Sequence, residues 1–413
     1  MQKKLIALAV AGLASTAAFA QTNVTIYGLV DYGYSYRFDA RGLDSATNRV
    51  SGLNSPNSAS QFNSGQQSGS RLGFKGTEDL GNGLKAVFLL EQGFSIDTGA
   101  AKTSNLAFAR QAYAGLSGGF GTAVGGRLYT PHYTFVSGLD PFGAGTVGSY
   151  TNVYSPGAAF NSGYGGLMDP VRVDNAIAYI SPSFGGFTVT AAFANNVSGD
   201  DGSFTPNLGG NTTGNNAKNN TVYAVLGQYT GGALTVGANY HYIAGGSATA
   251  VPNLMLPGAA YSLNDVQNFT FGGSYDFKVV KLMGLYSWNN VNLDGAGSKD
   301  VSINNYMIGA TVPFGKFTGK GSYIYSDGNS AAGGDAQQLA LGLDYNLSKR
   351  TNLYSAYSWI DNSNQRMNGV GDASASGGYT GVGTPAQQLT GAGGAYPAGV
   401  FQQGFQIGLR HMF

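Results

Sequence analysis

Cysteine is missing from all 413 positions, so neither disulfides nor thiolate metal sites can hold this chain together. Charge is nearly as scarce. The 22 Lys and Arg and 21 Asp and Glu make up 10% of the residues, against roughly 25% in an average soluble domain. The length alone would allow two or three soluble domains, but their surfaces would be poorly solvated at that density. No sign dominates either: without Lys3 and Lys4 the balance is 20 basic against 21 acidic residues, and no global charge recommends a nucleic-acid partner. Proline numbers 12, too few for a Pro-rich array. The histidines, His132, His241 and His411, lack metal-ligand spacing, so no metal or cofactor is expected. After residue 20 no run approaches the ~18 consecutive apolar residues that a membrane helix needs, which excludes helical spans and leaves strand spans open. Disorder is also excluded, because 42% of the residues are apolar and net charge is near zero.

What is abundant is glycine, at 66 residues, with 26 Tyr and 23 Phe. The chain opens with Lys3 and Lys4, an Ala-rich apolar stretch from Leu5 to Phe19, and the small-x-small site Ala18-Phe19-Ala20. Residues 1–20 read as a secretory signal peptide, leaving 21–413 as the folded unit. There the dominant period is two, the signature of strands. Val24, Ile26, Val30, Tyr32, Tyr34 and Tyr36 oppose Thr25, Tyr27, Asp31, Gly33 and Ser35. Leu339, Leu341, Leu343 and Tyr345 likewise oppose Gln338, Ala340, Gly342 and Asp344. No stretch shows a comparable helical pattern.

Sixteen such segments can be marked, near 23–36, 70–78, 83–94, 104–116, 120–129, 171–181, 187–197, 219–229, 233–243, 264–276, 279–290, 300–312, 317–326, 336–346, 351–361 and 401–413. Their connections alternate between short, turn-forming ones and long ones rich in Gly, Ser, Asn and Thr, such as 37–69, 130–170 and 362–400. That alternation predicts an all-β, 16-stranded antiparallel transmembrane β-barrel with short periplasmic turns and long extracellular loops. The sheet must close because hydrocarbon satisfies no backbone group, and sixteen strands leave an aqueous lumen. The competing reading, a soluble β-sandwich, would need a richly charged outer face. Here the polar parity is Thr, Ser, Asn, Gln and Gly instead.

Parity also assigns faces. Leu72 and Phe74 outside place Arg71 and Lys75 inside. Leu84, Ala86, Phe88 and Leu90 outside place Lys85 and Glu91 inside. Tyr113 outside places Arg110 inside, and Val124 and Leu128 outside place Arg127 inside. Val171, Val173, Ile177 and Tyr179 outside place Arg172 and Asp174 inside. An arginine facing lipid at mid-membrane would cost ~2–4 kcal/mol, so the inward choice is forced.

Several stretches, in order along the chain, carry a resemblance: Asn23-Val-Thr-Ile-Tyr-Gly28 with Asp31, Ser70-Arg-Leu-Gly-Phe-Lys-Gly-Thr-Glu-Asp-Leu-Gly81 followed by Glu91, Arg110-Gln-Ala-Tyr-Ala-Gly-Leu116, Gly126-Arg127, Arg172-Val-Asp-Asn175 and Gly408-Leu-Arg-His-Met-Phe413. Together they resemble the Gram-negative general porins of the betaproteobacterial type. The resemblance implies a homotrimer in the outer membrane, passive diffusion of ions and small hydrophilic solutes, and an inward-folded loop 3 that constricts the lumen. It transfers a basic constriction wall to Arg71, Arg110 and Arg172, joined by Lys75, Lys85 and Arg127. The opposed acids would be Asp140, on the loop from Thr130 to Pro170, and Glu91, and a weak anion preference would follow. Phe405, Ile407, Leu409, His411 and Phe413 share one parity, and this stretch resembles the terminal-strand signal, ending on Phe413, that the outer-membrane assembly machinery reads.

Two motif matches are decoys. Gly115-Leu-Ser-Gly-Gly119 fits a nucleophile elbow but lies between strands rather than between strand and helix. Gly143-Ala-Gly-Thr-Val-Gly148 fits a dinucleotide fingerprint without a surrounding βαβ unit. No catalytic trio lines up on the outward parities, so no enzyme is expected. The open alternatives are a channel preferring particular anionic or organic-acid solutes and an outer-membrane adhesin or structural barrel.

Overall fold

The computed structural model describes residues 23–38, 59–102, 106–154, 170–196, 221–245, 260–294, 298–330, 334–363 and 401–413, with Met168 and short strand pieces between them. The signal-peptide reading and most of the long loops lie outside the described residues.

Sixteen long strands follow one another around the wall. They are β1 (Asn23–Phe38), β2 (Arg71–Gly81), β3 (Leu84–Gly93), β4 (Gln111–Gly118), β5 (Gly121–Tyr129), β6 (Arg172–Ile180), β7 (Phe187–Asn196) and β8 (Thr221–Gly231). The second half is β9 (Leu234–Ala244), β10 (Ala260–Asp276), β11 (Lys281–Asp294), β12 (Val301–Phe314), β13 (Phe317–Gly328), β14 (Ala336–Asn346), β15 (Thr351–Asn362) and β16 (Phe401–Met412). Each pairs antiparallel with the next, and β1 pairs with β16 from Leu29↔Met412 to Phe38↔Gln403, so the sheet closes without an edge. Short turns do the reversing at one end. Asn82 and Gly83 both hold positive φ between β2 and β3, the two-residue geometry whose twist matches the flanking strands.

The outer parity carries exposed apolar side chains around the circumference, including Ile26, Ile177, Phe187, Phe271, Ile308 and Leu341. Ile308 is 69% exposed, which only a lipid environment makes favourable. The inner parity is not uniformly polar, as simple alternation predicts. Leu226, Leu285, Met307, Ile324 and Ile360 point inward and are buried.

What covers them is the connection between β5 and β6. It enters the lumen as helix α1 (Pro131–Leu139), turns, and makes a single helical turn, α2 (Thr151–Tyr154). Thr130 caps α1 by accepting from the Tyr133 N–H at 3.0 Å, and Pro131 starts it. Nine residues are too few to print a helical period, which is why the pattern escaped the sequence. Phe135, Val136, Leu139, Phe142, Tyr150 and Val153 from this loop pack on the apolar inner wall of β8 to β15. Each such side chain, fully buried, contributes about 1.5–3 kcal/mol. Inward polar residues fix the loop's path: Gln338 donates to the Gly148 carbonyl at 2.9 Å, Asn305 donates to that of Tyr154 at 3.0 Å, and Gln406 accepts from the Val147 N–H at 2.7 Å. The loop therefore lies against one half of the wall and leaves open the half formed by β1 to β6.

Candidate functional site

Three guanidinium groups gather on that open half. Arg71 stands on β2, Arg110 on the bend leading into β4, and Arg172 at the start of β6. Glu91 of β3, only 3% exposed, sits among them. It accepts from Arg110 Nε at 2.7 Å and from the Tyr27 hydroxyl at 2.9 Å, with Arg71 Nη1 at 3.8 Å. Tyr129, at the end of β5, accepts from Arg110 at 2.7 Å and from Arg172 at 2.8 Å, using both lone pairs of its hydroxyl. The Arg172 guanidinium lies 4.6 Å from the Tyr129 ring centroid, and that ring stacks on Tyr133 of α1 at 5.1 Å. Like charges are thus held together by one carboxylate and one phenol. The balance is three cations against one anion, so two positive charges remain for whatever passes.

The space in front of the arginines is bordered on its far side by Gln67, Ser68 and Gly69 and by Gly143, Ala144 and Thr151 of the inward loop. None of these six ionises. Asp140, expected there as the opposing acid, is instead 5% exposed within the loop itself. One oxygen accepts from the Phe142 N–H at 3.0 Å, the other from Ala144 at 2.9 Å and Tyr150 at 3.2 Å. Its charge is spent on folding the loop, because three backbone donors of the turn converge on it. Asp140 therefore does not face the arginines as an opposed charge, and the six residues that border the space across from them carry none.

Burial pushes the Asp140 carboxyl up from 3.8 to about 6, against the pull of the three N–H donors and of Lys320. The folded state then binds more protons than the unfolded chain between those values, so stability falls as pH rises from about 4 to 6, by roughly 3 kcal/mol in all. Thermal unfolding of Asp140→Asn is expected to lose that slope. An unchanged slope in the variant would assign the pH dependence to another group.

The remaining candidate residues lie elsewhere. Lys75 is four residues down β2 from Arg71, about 13 Å away at ~3.3 Å per residue, with its ammonium 5.3 Å from the Tyr27 ring centroid. Lys85 pairs in register with Asp79 beside the Asn82-Gly83 turn, six residues and about 20 Å from Glu91. Both are exposed, and neither joins the cluster. Arg127 forms an ion pair with Asp174 and donates through Nε to the Ala109 carbonyl at 2.7 Å. It holds the backbone from which Arg110 projects.

Parity misplaces two neighbours of the site. Tyr113 shares its face with Glu91, through the pairings Glu91↔Gln111 and Leu89↔Tyr113, and so points into the lumen. Arg110 reaches the lumen because it precedes the strand. Val124, too, faces inward: it pairs with Gly115, on the face of Tyr113. A register shift between Gly126 and Leu128 then exchanges the faces before Tyr129.

A closed sixteen-stranded sheet with an apolar exterior, and a loop that narrows its interior beside a charged cluster, defines a β-barrel membrane channel. Residues 7–365 match the profile of the Gram-negative porins. The chain is 33% identical over 417 residues to outer membrane porin protein 32 of Delftia acidovorans, covering 100% of both chains, and 31% identical to an outer membrane porin of Bordetella pertussis, covering 88% of this chain and 95% of the relative. Its structure is similar to that of an anion-selective porin from Comamonas acidovorans, with a TM-score of 0.69, 29% identity, and coverage of 95% of this chain and 100% of the other. The chain belongs to the Gram-negative porin family: a multi-strand channel of the Gram-negative outer membrane, not an enzyme.

Proposed function

We propose that each barrel is an anion-preferring diffusion pore for ions and small hydrophilic solutes, working in a homotrimer, with Arg71, Arg110, Arg172 and Glu91 at its constriction. The observation that carries this reading is the cluster's net charge of two positives, faced across the space by Gln67, Ser68, Gly69, Gly143, Ala144 and Thr151, none of which ionises. A solute anion approaching the arginines meets fixed donors in a narrow, partly dehydrated space, where the interaction is stronger than in bulk water. The similarity to an anion-selective porin supports the same sign. Reversal potentials across a planar bilayer with a KCl gradient test it: the chloride-favouring sign is expected, and a potassium-favouring sign would overturn it. A narrower reading, a channel preferring organic acids, would add saturable block of the chloride current by mono- or dicarboxylates.

The same proposal covers residues 1–20 as the export signal and Phe413 as the signal for barrel assembly. Support for the latter lies at the seam. Gly28 and Phe413 exchange backbone hydrogen bonds of 3.1 Å, and a Cβ on Gly28 would lie 2.2 Å from the Phe413 ring. The ring occupies the place of a side chain on the first strand. Phe413→Ala is expected to lower the amount of heat-modifiable folded barrel in the outer membrane several-fold, as seen by gel shift, with total synthesis unchanged.

A further inference from the structure

The second wall strand is broken. The upper half of β1 pairs with a short strand, Ala59–Ser64, ending at Tyr32↔Ser64, while its lower half pairs with β2 starting at Leu29↔Arg71. Two residues of β1 separate these pairings, but six residues, 65–70, separate them on the partner. The surplus leaves the sheet on the lumen side. Gly65 makes the exit with φ of 75°, where a Cβ would come within 2.9 Å of Gly69. Gln66 is fully buried and donates to the Gly33 carbonyl at 3.0 Å.

One side chain organises this excursion. Asp31, on the inner parity of β1, accepts through one oxygen from the N–H groups of Gln67 at 2.8 Å and Ser68 at 2.6 Å, and through the other from the Tyr354 hydroxyl at 2.7 Å. Two successive amides bound to one carboxylate fix the direction in which residue 68 points. The excursion in turn meets the inward loop, whose Thr146 N–H donates to the Gln66 carbonyl at 2.6 Å. On its other side Asn352 donates to the Gln67 side chain at 3.0 Å, and Arg410 of β16 reaches the Ser68 hydroxyl at 3.4 Å. Gln67, Ser68 and Gly69 then form the wall that faces the three arginines.

We infer that residues 65–70 are a second constriction element, with Asp31 as its positioning residue and Ser68 as the side chain it presents to the permeating solute, beside a fourth guanidinium, Arg410. The inference rests on the permeation path proposed above and adds to it. Pore width is set by two chain segments touching across the lumen, rather than by the long loop alone. Loss of the Asp31 carboxylate leaves two amides without an acceptor, so the excursion lets go of the strand that carries it.

The absence of cysteine permits a direct test. Ser68→Cys introduces the single thiol of the chain, and its reaction with a sulfonate-bearing methanethiosulfonate is followed by mass spectrometry and single-channel recording. Complete modification is expected to lower conductance by half or more, whereas modification of Lys349→Cys, in an exposed turn outside the lumen, changes nothing. In Ser68→Cys with Asp31→Ala, the unmodified conductance rises, and modification blocks much less. Asp31→Leu, which is close in size but has no acceptor for the two amides, serves the same comparison if the alanine variant does not fold. Full modification without loss of current would overturn the second constriction, and undiminished block after removal of the carboxylate would overturn the role of Asp31. The reversal potential of the unmodified Ser68→Cys channel judges anion preference separately, since a potassium-favouring channel could still be blocked at residue 68.

Discussion

Replacing Arg71, Arg110 and Arg172 together with glutamine is expected to reverse ion selectivity, from chloride-favouring to potassium-favouring. The three guanidiniums owe their proximity to Glu91 and Tyr129, and Glu91 owes its charge balance to Arg110 at 2.7 Å and Arg71 at 3.8 Å. With the cations gone, the one carboxylate of the cluster is the field that remains. A unit charge about 7 Å from a passing ion contributes roughly 0.6 kcal/mol at a dielectric of 80 and about 2.4 at 20. A change from two net positives to one negative is therefore worth tenfold or more in the permeability ratio, at about 1.4 kcal/mol per tenfold. The measurement belongs near 0.1 M salt, where the screening length is about 10 Å; at 1 M it is about 3 Å and the contrast shrinks. Leaving a buried carboxylate unpaired also costs about 3–5 kcal/mol of stability. Adding Glu91→Gln to the triple variant should restore folding yield and give a nearly unselective pore. A triple variant that stayed chloride-favouring would move the selectivity filter elsewhere in the lumen.

The barrel was legible because its signals are local. Alternation along β1 and β14 and the turns between strands each lie within a few residues, and closure follows from the membrane. The faces of Arg71 and Arg172 were legible for the same reason. The positions that escaped depend on where a strand starts or slips. Arg110 lies one residue before β4, so counting back from Tyr113 reached the right side through a wrong face. Across Gly126, at a φ of 139°, the faces of β5 exchange beside the register shift with β6, and no count made from either end survives such a bulge. Tyr27, Tyr129 and Ser68 escaped because their roles arise from partners far along the chain. So did the true situation of Asp140, since an acid in a glycine-rich loop reads as a free charge until three amides are seen to converge on it. The inner apolar residues of β8 to β15 gave a faint warning: Leu285 and Met307 sit on a parity that should face water, and only a loop lying over them makes that reasonable.

That loop seat leads to the second large effect: Gly309→Leu and Gly342→Leu are expected to reduce single-channel conductance several-fold while the barrel still folds. Both glycines face inward under the loop. A Cβ on Gly309 would stand 2.5 Å from Pro141, and one on Gly342 would stand 2.7 Å from the Phe142 ring. Ordinary contact needs about 3.5–4 Å, so even alanine shifts the loop by about 1 Å, and leucine shifts it further. The wall cannot yield, because every strand is hydrogen-bonded on both sides, so the loop moves toward Arg71, Arg110 and Arg172 and narrows the space between. Overpacking of this kind typically costs 1–3 kcal/mol, which a closed barrel of sixteen strands can absorb. Gly284→Leu is the comparison: it points to lipid, and the nearest atom to its Cβ is the Met307 carbonyl oxygen at 3.5 Å, so its conductance should match the parent. If the Gly309 and Gly342 variants conducted normally as folded barrels, the loop would not be seated by contact with the wall, and the hydrogen bonds from Gln338, Asn305 and Gln406 would have to set pore width alone.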